Sequence, residues 1–168
     1  AMVPNNDATS IPHGMKCAGV AGALANNPSG SVVPGENEGI VGAAPNCRLM
    51  GLIRPTGWDE YPGAVAAEPT ELQYADAFVW TAGFDPGSPY FPPQISPGAD
   101  VISNSWVSKY AAPLSGTMQA AFDFLTTNGR GGKGVLIFFA AGNVNLDLSQ
   151  VNCYAAYAKT IAVAASTH

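Results

Sequence analysis

The chain has 168 residues, of which 47% are hydrophobic and 11% are charged, against about 25% charged in an average globular domain. Such a composition excludes disorder, and the length predicts one domain or a large part of one. The net charge is −5 and the basic residues form no cluster, so nucleic acid is not an expected partner. No apolar run reaches the roughly 20 residues that cross a bilayer, so we expect no membrane partner either.

The predicted elements alternate between helices and strands. In chain order they are a helix at 16–26, a strand at 48–53, a helix at 70–82, a strand at 100–103, a helix at 115–128, and strands at 135–140 and 160–164. Ser115 is the predicted N-cap of the third helix and Gly129 its stop. The strands are short and apolar on both faces, which predicts an α/β fold with a parallel sheet and helices on both faces, a Rossmann-like three-layer arrangement.

Two segments are predicted to be irregular. Residues 28–39 form a polar, glycine-rich loop, and residues 85–98 contain five prolines, which exclude regular structure. Residues 1–12 lack a basic segment followed by an apolar one, so no signal peptide is predicted within this chain. The three cysteines, Cys17, Cys47 and Cys153, allow at most one internal disulfide, and whether Cys47 pairs with Cys153 stays open. Their spacing contains no CxxC, so a zinc site is not expected.

Four short motifs carry side chains suited to chemistry. They are His13-Gly14-Met15-Lys16-Cys17-Ala18-Gly19, Gly39-Ile40-Val41-Gly42-Ala43-Ala44-Pro45, Asp100-Val101-Ile102-Ser103-Asn104-Ser105-Trp106 and Ala140-Ala141-Gly142-Asn143. The last two end buried strands, and ligands of open α/β sheets bind beyond the carboxyl ends of strands. An asparagine there can donate a hydrogen bond to a developing oxyanion. Each motif alone has an ordinary structural explanation, such as a turn asparagine or a histidine at a helix start.

Taken in this order, the four motifs resemble those of the subtilisin-like serine endopeptidases, the peptidase S8 superfamily. The resemblance runs from about residue 12 to residue 168, and residues 161–166 match a later core strand. The first motif and the Gly129-Arg130-Gly131-Gly132-Lys133-Gly134 segment resemble the kexin-like branch in particular. The resemblance implies a subtilisin-like fold, a secreted or extracytoplasmic location and a peptide or protein substrate.

The resemblance also implies roles for individual residues. His13 would be the general base of an Asp-His-Ser triad, and Asn143 would donate to the oxyanion of the tetrahedral intermediate. Substrate-binding roles fall on two groups. The first, Ser105, Trp106 and Val107, would pair with an extended peptide, and the second, Ala140, Ala141 and Gly142, would form a pocket wall.

Departures from the family pattern are equally informative. Met15 replaces the usual Thr and Val107 the usual Gly, and residues 108–110 and 152–155 lack the acidic groups that would favour a Lys or Arg substrate. An uncharged or aromatic side chain is therefore the expected preference. The triad Asp is expected upstream of His13 and the Ser downstream of Asn143, so the chain is predicted to be an incomplete domain, inactive by itself.

Several alternatives remain. Ser115-Gly116-Thr117-Met118 looks like a nucleophile segment but lies before the oxyanion strand, so we interpret Ser115 as an N-cap. Cys17 follows His13 by one helical turn, and a Cys-His pair can be nucleophilic, although a buried free thiol is preferred. A nucleotide-binding domain is disfavoured because the chain has neither a GxGxxG turn nor a GKS/T loop.

No cofactor is required, but structural calcium is considered at a set of oxygen-bearing residues: Asn26, Asn27, Glu36, Asn37 and Glu38. Asp7 is interpreted as a solvated or ion-binding carboxylate. A degenerate, non-catalytic domain that binds peptides is the second hypothesis. An incomplete domain would leave sheet edges and apolar surface uncovered, so we also expect a homodimer or pairing with the rest of the domain.

Overall fold

The computed structural model describes residues 13–24, 40–52, 69–87, 92–107, 113–143 and 146–166. They belong to two compact units, an N-terminal unit, Ala1–Ala66, and a C-terminal unit, Ala67–His168. The predicted calcium loop, Asp7 and residues 108–110 lie outside the described residues. No described helix is long and apolar enough to cross a membrane.

The N-terminal unit contains one described helix, α1 (His13–Gly22). It begins three residues before the predicted start and ends four residues before the predicted end. The following chain turns back and caps it, because the N–H groups of Gly42, Ala43 and Ala44 donate to carbonyls of α1 and of Ala23 at 2.8–2.9 Å. A Cβ on Gly42 would lie 2.4 Å from the backbone nitrogen of Ala23. Only glycine fits this close approach.

The strand predicted at 48–53 is not confirmed. The described residues 48–52 join no strand ladder, and Leu49, Met50 and Leu52 are each about half exposed. An apolar run supplies the side chains of a buried strand, but a strand also needs a neighbour whose backbone groups bond its own. No such neighbour lies in the described part of the N-terminal unit.

The C-terminal unit is built on a three-stranded sheet. Its strands are β1 (Val101–Asn104), β2 (Leu136–Ala140) and β3 (Ile161–Val163), in the order β1-β2-β3 with both pairs parallel. All three lie within one residue of their predicted bounds. The parallel α/β prediction is therefore confirmed.

Two longer helices and one short helix accompany the sheet. The helix α2 (Glu71–Thr81) begins with a capping box in which Thr70 and Gln73 exchange hydrogen bonds, as is common at helix starts. In α3 (Gly116–Gly132), Ser115 is the N-cap, as predicted, and its hydroxyl accepts from the Met118 N–H. The backbone leaves helical geometry at Gly129, the predicted stop. The four-residue helix α4 (Leu148–Val151) was not predicted.

Both α2 and α3 cover the same face of the sheet. Phe78 of α2 and Phe122 of α3 contact Phe139 of β2, with ring centroids 6.1 and 5.9 Å apart. The opposite sheet face holds side chains that are 41–54% exposed, namely Val101, Leu136, Ile161 and Val163. The prediction of helices on both faces is thus met on one face by the described helices of this unit, and a helix on the second face stays a prediction.

In the proline-rich segment the described residues, 85–87 and 92–98, form no helix and no strand ladder, as predicted, and backbone contacts join the two ends of the segment. The Ile95 N–H donates to the Gly83 carbonyl at 2.7 Å, and Phe84 and Gln94 form an isolated antiparallel bridge. Gly83 and Gly98 both adopt positive φ, and a Cβ on Gly98 would lie 2.1 Å from the Ala82 carbonyl oxygen. These contacts fix the residues that lead into β1.

Candidate functional site

His13 is the first residue of α1 and is exposed. Its Nε2 atom lies 3.5 Å from the Sγ atom of Cys17, one helical turn later. This distance allows a hydrogen bond to sulfur and agrees with the spacing from which the Cys-His alternative was argued. Cys17 is half-buried rather than buried, which corrects that detail of the prediction. The structure shows no disulfide at Cys17, Cys47 or Cys153, so the open pairing of Cys47 with Cys153 is not formed.

In the C-terminal unit, the carboxyl ends of the strands surround a cleft of about 270 Å³. We call it the strand-end cleft. Its lining residues are Ser103, Asn104, Ser105, Phe138, Phe139, Ala140 and Val163. Two residues predicted to bind substrate, Ser105 and Ala140, belong to this lining. Parallel strands end at one edge of a sheet, and that is why residues 35 positions apart in the sequence meet there.

Val107 and Gly142 bring the two predicted substrate-binding groups into contact. A Cβ on Gly142 would lie 3.3 Å from Cγ1 of Val107, and Gly142 has a φ of 96°. A side chain at position 142 would therefore be strained by the backbone and would press on Val107. The Val107 methyl group occupies space beside Gly142 that a glycine at position 107 would leave open.

Trp106 lies between these groups but its ring packs into the core. It stacks on Tyr74 at 5.5 Å and meets Phe139 and Tyr154 edge-on at 5.3 and 5.7 Å between centroids. Its indole therefore anchors the segment that leaves β1. A peptide bound along residues 105–107 would meet the backbone of Trp106 rather than the face of its ring.

Asn143 follows directly after Ala140, Ala141 and Gly142, the predicted pocket wall, and is exposed. Ala141, two residues before it, donates its N–H to the Val163 carbonyl at 2.9 Å, which extends the contact between β2 and β3 past their last paired residues. Because His13 and Asn143 belong to different units, their common placement around one acyl group stays a prediction.

Two buried asparagines hold the end of β2, and neither was assigned a role from the sequence, although Asn104 lies within the third motif. Asn104 is 8% exposed and its Nδ2 donates to the Phe138 carbonyl at 2.9 Å. Asn152 is 0% exposed and donates in the same way to the Ala140 carbonyl at 2.9 Å. The available signal was weak, since an Asn in an apolar stretch shows only that it needs buried partners.

The strand-end cleft carries no charge on its lining residues. Two of the described carboxylates have perturbed pKa values, the half-buried Asp123 and the exposed Asp147, and neither belongs to that lining. Hydrogen bonds from Tyr157 and Lys159 lower the pKa of Asp123, and bonds from Ser149 lower the pKa of Asp147. Both carboxylates stabilise local structure.

No metal site is formed by three or more His, Cys, Asp or Glu side chains within the described ranges. The residues considered for calcium lie outside those ranges, so the structure does not test them.

The described residues form an α/β domain with a cleft at the carboxyl ends of its parallel strands, which is the edge where open α/β sheets bind ligands. The model of the subtilase family, Peptidase S8, matches residues 2–168. The chain belongs to the subtilase family.

Two similar proteins are both named calcium-dependent protease. They come from Trichormus variabilis and from Nostoc sp., and each is 34% identical to this chain over 166 residues. The alignment covers 91% of this chain and 20% of each relative. The chain therefore spans about a fifth of the length of these relatives.

Proposed function

We propose that the complete protein containing this chain is a serine endopeptidase in which His13 is the general base and Asn143 the oxyanion donor. Asn143 follows a wall of the strand-end cleft in a chain that belongs to the subtilase family, and this observation carries the proposal. The triad Asp and Ser would come from outside residues 1–168. The chain alone is expected to be inactive.

The proposed reaction has two halves. His13 takes the proton of the serine hydroxyl as its oxygen attacks the peptide carbonyl, and the side-chain amide of Asn143 donates to the resulting oxyanion. His13 then gives its proton to the leaving amine, which completes the acyl-enzyme. In the second half, water repeats the attack with His13 as base, and the serine is regenerated.

The test compares Asn143→Ala with Asn128→Ala in the complete protein. Asn128 is also exposed and donates to a backbone carbonyl at 3.0 Å, but it lies on α3. We expect Asn143→Ala to lower kcat by about 10²–10³-fold, the factor known for one such donor in a subtilisin, with Asn128→Ala unchanged. An Asn143→Ala variant with wild-type kcat would refute the assignment.

For substrate preference, we propose an uncharged side chain before the scissile bond. The uncharged cleft lining and the Val107 methyl group beside Gly142 support this preference. Val107→Gly should open the cleft and raise kcat/KM for bulky aromatic residues more than for alanine, measured on a peptide library. Efficient cleavage after Lys or Arg would contradict this preference. We also propose that the protein belongs to the kexin-like branch.

We further propose that the complete protein binds structural calcium and is exported. The names of the two relatives support calcium, and the candidate oxygen ligands are those in the 26–38 region. Addition of a calcium chelator should lower the Tm of the wild type. The control Asn128→Ala should show the same decrease in Tm, and a variant lacking the carboxylates of Glu36 and Glu38 should show a smaller one. Export is tested by fractionation of the producing cells.

A degenerate, non-catalytic domain remains the second candidate, favoured by Val107 beside Gly142 and by Met15 in the His13 motif. Labelling of the complete protein with a serine-directed phosphonate separates the two functions, because a binding domain would take up no label. We also propose a homodimer, or pairing with further parts of the domain, supported by the apolar side chains on the open sheet face. A monodisperse monomer in light scattering would contradict the pairing.

A further inference from the structure

Asn152 uses both ends of its side-chain amide while fully buried. Its Nδ2 donates to the Ala140 carbonyl at 2.9 Å, and its Oδ1 accepts from the N–H groups of Tyr154 and Ala155 at 3.2 and 3.4 Å. Its side chain is 0% exposed. A buried carbonyl without a donor costs about 1–3 kcal/mol, so the amide of Asn152 is well suited to this position.

The Ala140 carbonyl needs a partner because the sheet ends there. Leu136 donates its N–H toward β1 and Ala141 donates toward β3. Backbone groups alternate along a strand, so the Ala140 carbonyl faces the β1 side. The paired register with β1 ends one residue earlier, at Phe139. The Asn152 side chain therefore donates the hydrogen bond that a neighbouring strand would otherwise donate, because the pairing of β2 with β1 ends at Phe139.

One peptide group is thereby fixed from both sides. The carbonyl of Ala140 and the N–H of Ala141 belong to the same planar unit, and they bond Asn152 and Val163 respectively, each at 2.9 Å. Asn143 lies only two residues further on. The orientation of this plane sets the direction in which the chain leaves β2.

We propose that Asn152 is a positioning residue for Asn143, acting through the peptide group between Ala140 and Ala141. The inference rests on the proposed peptidase function. A shift of about 1 Å at a catalytic group can cost up to about 10²-fold in rate. Loss of the Asn152 donor should therefore lower kcat without any contact between Asn152 and the substrate.

Asn152→Asp is the sharpest test because it preserves shape and the acceptor oxygen. At neutral pH a carboxylate oxygen would face the Ala140 carbonyl and repel it. When protonated, the carboxyl group can donate again. We expect the variant to lose up to about 10²-fold in kcat at pH 8 with little change in KM, as for an interaction that matters in the transition state. The ratio of variant to wild-type kcat should rise as the pH falls.

Asn128→Asp is the matched control, since the same chemical change is made at an exposed amide that also donates to a carbonyl. Its ratio to wild type should stay near one at every pH. Asn152→Ala removes the donor without adding charge, and serves if the aspartate variant fails to fold. It should lower kcat in the same direction with no pH-dependent recovery.

Hydrogen exchange separates this inference from the proposed function. In Asn152→Asp the amide protons of Ala141, Gly142 and Asn143 should exchange faster than in wild type, relative to those of α3. If the Asn152→Asp variant has the wild-type kcat at pH 8, or loses kcat only in proportion to its unfolded fraction, the inference is overturned.

The peptidase proposal fails separately, if the complete wild-type protein is inactive. In that case the exchange data still test the positioning role, and an unchanged exchange rate at Ala141 in Asn152→Asp would overturn it.

Discussion

Phe139→Ala tests the packing that joins the helices to the site. Phe139 is 1% exposed, and its ring lies 5.3–6.1 Å from those of Trp106, Tyr154, Phe122 and Phe78. Removing a buried phenylalanine ring costs about 3–5 kcal/mol, from lost burial and from the cavity that remains. We expect the upper part of this range, because four aromatic partners lose an edge or face contact worth about 0.5–1.5 kcal/mol each and not additive.

The assay is urea unfolding followed by circular dichroism, with thermal unfolding beside it. About 3–5 kcal/mol corresponds to a Tm drop of roughly 6–20 °C in a domain of this size. Leu72→Ala is the control, since Leu72 is 61% exposed, and it should change the free energy of unfolding by less than about 0.5 kcal/mol. A loss under 1 kcal/mol for Phe139→Ala, with an unchanged m-value, would refute the proposed core.

Three further changes test other parts of the C-terminal unit. Thr70→Ala removes the N-cap of α2 and should cost about 1 kcal/mol in urea unfolding, whereas Thr70→Ser should retain most of it. Tyr157 and Lys159 lower the pKa of Asp123, so its contribution to stability is full above the unfolded pKa of about 3.9 and is lost as the pH falls through the lower folded pKa. Asp123→Asn should therefore flatten the acid side of the Tm profile below about pH 4, and an unchanged profile would contradict this. Gly134→Ala would place a Cβ 2.2 Å from a backbone oxygen of α3 at a φ of 79° and should lower Tm by several degrees, as about 1–3 kcal/mol of strain implies.

The sheet of the C-terminal unit was predictable because its strands are short, apolar and bounded by turns. Parallel strands buried between layers show this signal without alternation. The helix α3 was predictable from its cap as well as its apolar spacing, since Ser115 accepts from the N–H of Met118, three residues later. The helix α2 was predicted from apolar spacing, and the structure adds that Thr70 caps it in the same way. In α3 the capping residue and the apolar spacing indicated the same helix. Both signals depend only on residues that are close together in the sequence.

The bounds of α1 and the absence of a strand ladder at residues 48–52 were not predictable, because both depend on contacts distant in the chain. The turn at Gly42 caps α1 four residues earlier than its alanine-rich sequence implies. Residues 48–52 have the side chains of a buried strand but no described partner. Helix propensity and apolar content are weak predictors of where a helix or strand ends when hydrogen bonds to residues distant in the chain determine that end.

The candidate site also has one part that the sequence predicts and another that it does not. The residues that leave β1 and β2 could be placed at one edge from strand order alone, and Ser105 and Ala140 lie there. The inward packing of Trp106 and the role of Asn152 could not, because each depends on partners from another element. Sequence motifs locate the side chains of a site more readily than the buried groups that hold them.

The most direct test of the proposed mechanism is a crystal structure of the complete protein with a peptide phosphonate bound covalently to its serine. We predict that a phosphonyl oxygen lies about 3 Å from Nδ2 of Asn143 and that the His13 ring lies beside the serine oxygen. An adduct with Asn143 turned away from the phosphorus, or with His13 on the far side of the sheet, would contradict this prediction.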